Sequence, residues 1–153
     1  MGTKVVDTRE YVSMLRELTE EGKEVSMLIA GNSMSPFLIH NRDYVSFKKP
    51  DRELKAGDIV FFQREGGAFI LHRIWKVKPE GYYIVGDAQW VIEGPVKREQ
   101  IFAIVTKVRR KGKWIGPGAF WWEFFEHIWI HMIPLRSGVC KTYTKFRQLL
   151  KRN

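Results

Sequence analysis

Apolar and polar positions along this chain follow two different periods. From Asp7 to Gly22, Tyr11, Met14, Leu15 and Leu18 recur at i, i+3, i+4 and i+7, which predicts an amphipathic helix with one face packed on a domain. Asp7 and Glu10 can form a capping box at its start, and Gly22 is its natural stop. The texture then changes to short β-type runs such as Val25–Ala30, Ile59–Gln63, Ala68–Val77, Tyr82–Val85 and Ile101–Val108. Gly66-Gly67, Pro79-Glu80-Gly81 and Lys111-Gly112-Lys113 supply turns between or after them. No helical crossover fits between these runs, so a doubly wound sheet is excluded in favour of a mainly β, antiparallel, partly barrel-like domain.

Gly116-Pro117-Gly118 breaks the pattern, and a helical, aromatic stretch follows. From Phe120 to Ile133, Glu123, Glu126, His127 and His131 fall on one stripe, and large apolar residues cover the rest. A second amphipathic pattern beyond Pro134 carries Val139, Tyr143, Phe146, Leu149 and Leu150, with Lys141, Lys145, Arg147, Lys151 and Arg152 on other faces. Three segments result: an N-terminal amphipathic helix (1–24), a β domain (25–115) and an aromatic, basic helical tail (116–153).

Length and composition fit this division. The 153 residues suffice for one ordinary core with an appendage, and 44% hydrophobic and 14% aromatic residues indicate a folded chain. The net charge of +9 is unevenly placed. Residues 1–106 hold 15 basic and 15 acidic side chains, whereas residues 107–153 hold 11 basic ones against Glu123 and Glu126. The single cysteine, Cys140, excludes an intramolecular disulfide and an all-cysteine metal cluster. Charges interrupt every apolar run near the N-terminus, so neither a secretory signal nor a spanning anchor is expected there. The expected location is cytoplasmic or peripheral to a membrane.

A bilayer span needs about 20 largely uncharged residues. The four ionisable groups of the aromatic stretch and Pro134 prevent that, so a helix lying in the interface is expected. Trp121, Trp122, Phe125 and Trp129 would then meet the membrane surface, with the basic residues of 117–153 attracted to anionic lipid. The alternative is that the aromatic helix packs over an apolar face of the β domain. Glu123, His127 and His131 also have i, i+4 ligand spacing, but no further ligand accompanies them and no metal is expected. Helix-turn-helix, RNA-binding and zinc signatures are absent, so nucleic acid is not an expected partner.

The chemistry concentrates in three places. Gly31-Asn32-Ser33-Met34-Ser35-Pro36 follows an apolar strand, where a serine held on a turn can expose its hydroxyl beside convergent backbone N–H groups. Any ordinary turn uses the same residue types. His72 lies within an apolar strand, Leu71-His72-Arg73-Ile74, and suits either a general base or a core hydrogen bond. Gly86-Asp87-Ala88-Gln89 is followed by Glu93. An acid near a histidine can fix its tautomer, while Asp87 equally suits an ion pair with Arg73 or a turn cap.

In this order, together with Leu54-Lys55-Ala56-Gly57-Asp58-Ile59-Val60-Phe61, these segments resemble the successive boxes of type I signal peptidases. The similarity is to the branch of the endoplasmic reticulum, archaea and some spore-forming bacteria, which uses histidine as base, and it covers about residues 25–108. It implies a signal-peptidase-type β domain with Ser33 as nucleophile and His72 as base. Asp87 and Glu93 would be supporting acids, Arg73 the basic residue after the base, and Asn32 and Met34 parts of the oxyanion hole and substrate groove. Gly31, Gln89 and Glu93 depart from the usual Ser, Asn and Asp.

The expected function is cleavage of a leader or signal-like peptide with small residues at and two before the cut, with no cofactor. A relative of the self-cleaving SOS repressors, which use a lysine base, is a second proteolytic reading. A non-catalytic membrane-surface or peptide-binding protein on the same fold is the reading from another class.

Overall fold

The computed structural model describes residues 8–151, and of Thr8 and residues 137–144 the backbone only. Asp7, Arg152 and the side chains of Val139, Cys140, Lys141 and Tyr143 lie outside the described part. Helix α1 (Thr8–Glu20) precedes eight strands: β1 (Val25–Leu28), β2 (Tyr44–Lys48), β3 (Ile59–Gln63), β4 (Phe69–Lys78), β5 (Gly81–Val85), β6 (Glu93–Val96), β7 (Ile101–Arg110) and β8 (Lys113–Ile115). Helix α2 (Phe120–His127), a 3-10 turn (Trp129–His131) and helix α3 (Ile133–Lys151) follow.

All pairings are antiparallel, in the order β1-β2-β7-β3-β4-β5-β6 with β8 also on β7. The sheet is not closed. It is nevertheless covered on both faces, which explains why Ile59–Phe62 of β3 are buried without alternation. Ile59 and Phe61 join the larger core with Phe37, Phe47 and Phe102, while Val60 and Phe62 join a second cluster with Ile74, Ile84 and Ile104.

Val12 and Leu15 of α1 fill one end of the larger core with Leu18 packed against it, whereas Tyr11 and Met14, expected on the packed face, are exposed. Trp122, Phe125 and Trp129 fill another part of it, with the Phe125 ring 4.7 Å from that of Phe37. Three of the four aromatics expected at a membrane surface are therefore buried against the β domain, and only Trp121 is exposed. The helical period identifies an apolar face but not what covers it. The aromatic stretch also breaks at Ile128, and Pro134 occupies the first turn of α3, where its missing N–H costs no hydrogen bond.

Candidate active site

Ser33 lies in the turn-rich segment between β1 and β2. Asp43, fully buried, closes this segment: its carboxylate accepts the Ile39 N–H at 2.8 Å and a two-pronged pair from Arg42, while its backbone C=O accepts the Ile29 N–H. The Gly31 N–H donates to His40 Nδ1. Met34, Phe37 and Leu38 point into the core and anchor the turn from below, leaving Ser33 partly exposed and Asn32 exposed.

The Gly86-Asp87-Ala88-Gln89 turn packs directly on the serine. The Ala88 N–H donates to the Ser33 carbonyl at 2.9 Å, and a Cβ on Gly86 would lie 2.5 Å from that same oxygen. Only a residue without a side chain allows this approach. The turn is held from three sides. Arg73 donates from Nε and Nη2 to the two carboxylate oxygens of Asp87, both at 2.9 Å, and from Nη1 to the Gly57 carbonyl. The Trp129 indole N–H donates to the Asp87 carbonyl at 2.8 Å. Arg136, fully buried, donates to the carbonyls of Gly86, Gln89 and Trp129. Nothing local in the sequence marks Trp129 as part of the site, and Arg136 is marked only as an arginine close after Ile133, Pro134 and Leu135.

His72 and Arg73 are neighbours on β4 and face opposite sides of the sheet. Arg73 lies over the Phe37 ring on the side of the larger core. His72 pairs across with Val60 and meets the Phe62 ring on the side of the second cluster. Burial is the main cause that holds the imidazole down at about 4 from an ordinary 6.5; Arg64 adds to this effect, and Glu93 and Asp87 oppose it. The buried Nδ1 has no hydrogen-bond partner among the described residues. Glu93, on β6, is bound by Arg64 through two contacts of 2.9 and 2.6 Å.

Ser33 and His72 line one cavity of about 600 Å³, together with Met27, Ile29, Phe61 and Leu71. Met34 also lines it. Asn32, Asp87 and Glu93 are not among its described lining residues. Arg9 and Arg64 supply its charged groups, and Arg9 also ties α1 to the β3–β4 hairpin by donating to the Gly66 and Gly67 carbonyls. No hydrogen bond joins the Ser33 hydroxyl to His72 among the described residues.

Elsewhere, Glu123, Glu126 and His127 bring ligand-type atoms within 4.8 Å of one another. His127 contacts both acids, and Lys55 pairs with Glu126. His131 is not part of this group. Among the described residues no helix is long and apolar enough to cross a membrane.

No curated protein and no solved structure matches the chain. Residues 2–108, a stretch that includes α1 and runs through most of β7, match the peptidase S24-like family. With more than half its length in that match, the chain belongs to the peptidase S24-like family, whose fold is of the serine-peptidase type.

Proposed function

We propose that the protein is a serine endopeptidase of the signal peptidase type that cleaves a leader or signal-like peptide. His72 takes the Ser33 proton as the hydroxyl oxygen attacks the scissile carbonyl, and the imidazolium returns that proton to the amine as the C–N bond breaks; water, deprotonated by His72, then hydrolyses the acyl-enzyme and frees Ser33. The observation that carries this reading is that Ser33 and His72 share one open cavity, with the serine turn fixed by the Gly86–Gln89 turn. No lysine lines that cavity among the described residues, which favours the histidine-base branch over a lysine-based self-cleaving repressor. The unmade Ser33–His72 hydrogen bond is compatible with the mechanism, because catalytic hydrogen bonds often tighten only with substrate bound.

The two acids take different roles. Asp87 is committed to Arg73 in a pair whose side chains are 2% and 0% exposed, and separating such a pair leaves a buried charge at a cost of about 3–5 kcal/mol. Asp87 is thus a structural support of the serine turn. Glu93 pairs with Arg64 where the side chains are 33% and 46% exposed, and exposed pairs are worth about 0–1 kcal/mol. Glu93 is the acid that can exchange partners and serve His72.

The surface proposed to meet a membrane is the end of α3, where Phe146, Leu149 and Leu150 are exposed beside Lys145, Arg147 and Lys151.

The test of the proteolytic reading is a serine-directed covalent probe together with turnover of peptides bearing small residues at the cut. Labelling and turnover should both vanish in Ser33→Ala and His72→Ala while circular dichroism is unchanged. Full turnover by Ser33→Ala would exclude the mechanism, and a folded wild-type protein that neither labels nor cleaves would favour a binding function.

A further inference from the structure

The resting site is incomplete in a specific way. The base has a buried nitrogen without a partner, and the acid that could serve it is held by a cation. That cation, Arg64, also lines the cavity that holds the serine. With Arg9 it makes the charged part of a wall on which no carboxylate appears among the described lining residues. The register places the three groups on one side of the sheet. Val60 lies opposite His72 on β3, and Arg64 is four positions beyond Val60; Glu93 lies opposite Ile84, which in turn lies opposite Ile74, two positions from His72.

Resting on the proteolytic reading above, we propose that Arg64 is a specificity-determining and positioning residue that recognises a carboxylate on the bound peptide and thereby releases Glu93 to His72. In the free protein the guanidinium fork holds both Glu93 oxygens. A substrate Asp or Glu side chain entering the cavity offers the fork an equivalent carboxylate, and the exchange replaces one half-exposed pair by another, so its net cost is small. The freed Glu93 carboxylate accepts the Nδ1–H of His72. This leaves Nε2 as the lone-pair nitrogen for the Ser33 proton and stabilises the imidazolium that forms. Peptides lacking the acid bind the apolar wall but leave the base unoriented. The preferred substrate is therefore an extended peptide with an acidic side chain flanking its small residues.

The experiment uses the full chain with Ser33→Ala, in which nothing turns over, and follows the His72 imidazole by NMR across pH. Arg64→Gln should raise the His72 midpoint by about one pH unit or more, and adding Glu93→Gln should abolish most of that rise. An equal rise with Glu93→Gln present would mean that only the loss of a nearby cation was felt, and would overturn the exchange, as would no rise. Short Ala-rich peptides carrying Glu at each position in turn are then compared with their Gln counterparts. At least one Glu peptide should raise the midpoint in the Arg64 protein and not in Arg64→Gln; identical behaviour of all Glu and Gln peptides would overturn recognition of the carboxylate. Because these readouts need no cleavage, a protein that proves inactive with Ser33 restored would defeat the proteolytic reading while leaving the Arg64 result standing. Cleavage with unmoved titrations would do the reverse.

Discussion

The indole N–H of Trp129 donates to the backbone carbonyl of Asp87 across 42 positions of sequence. The acceptor belongs to the turn whose next residue, Ala88, holds the Ser33 carbonyl. The aromatic segment after β8 in this way buttresses the turn that packs on Ser33. Trp129→Phe keeps most of the packing but leaves the Asp87 carbonyl unpaired, so a loss of about 1–3 kcal/mol in urea unfolding is expected. Trp121→Ala, at an exposed position, should stay within about 0.5 kcal/mol.

Gly86→Ala should act on rate more than on folding. The added methyl would sit 2.5 Å from the Ser33 carbonyl oxygen, and one of the two turns must yield. Overpacking of this kind costs about 1–3 kcal/mol of stability, whereas misplacing a nucleophile by an ångström can cost on the order of 100-fold in rate. Comparing kcat/KM with the unfolding midpoint separates the two; a variant that loses stability but keeps its rate would show that the contact does not position Ser33.

Asp87→Asn and Glu93→Gln should diverge. The first leaves Arg73 buried without its counter-charge, with an expected loss of about 3–5 kcal/mol. The second removes an exposed pair and should cost at most about 1 kcal/mol while lowering kcat. Equal destabilisation by both would contradict the distinction between a fixed and an exchangeable acid.

Stability should fall with acid because of His72. Its imidazole, held at about 4 in the fold against 6.5 in the free side chain, binds a proton in the unfolded chain first as pH drops. The contribution is complete above 6.5 and is lost progressively from there down to about 4, to a total of about 3 kcal/mol. Glu24 and Asp43, both held below the ordinary carboxylate range by hydrogen bonds, lose their contributions at still lower pH. Urea unfolding at about pH 7 and about pH 4.5 should differ less in His72→Gln than in the wild type. An unchanged difference would show that another group is responsible.

For the tail, replacing Phe146, Leu149 and Leu150 together by Ser should reduce co-sedimentation with anionic vesicles and leave peptide cleavage unaltered. Deleting all of 117–153 should instead destabilise the β domain, since Trp122, Phe125, Trp129 and Arg136 are buried in its interior.

The strands most legible in the sequence are those with short apolar runs: β1, β3, β4, β5 and β7. Three others lack that signal. β6 contains Gly94 and Pro95, which read as a turn and are tolerated because β6 is an edge strand. β8 has three residues, and β2 buries Ser46, which bonds Glu24. The pairing of β2 with β7, which places Tyr44 opposite Arg109, depends on distant segments that no local pattern encodes. At the site, Ser33 and His72 stood out by residue type and setting. The attachment of Glu93 to Arg64 spans 29 positions, and an exposed arginine in a hairpin carries no mark of its partner. The same holds for the tail, where a protein core and a lipid surface demand the same spacing of tryptophans.

The opposed directions of His72 and Arg73 constrain how this protein can change in length. Inserting or deleting one residue between Phe69 and His72 would turn the imidazole toward Phe37 and the guanidinium toward Phe62, stranding the counter-charge of Asp87 and withdrawing the base from its place in a single step. Length variation in this region is accommodated by the Arg64–Ala68 hairpin, the Pro79–Gly81 turn and the register shift already present between Ile74 and Lys76, all of which leave the parity of His72 and Arg73 intact.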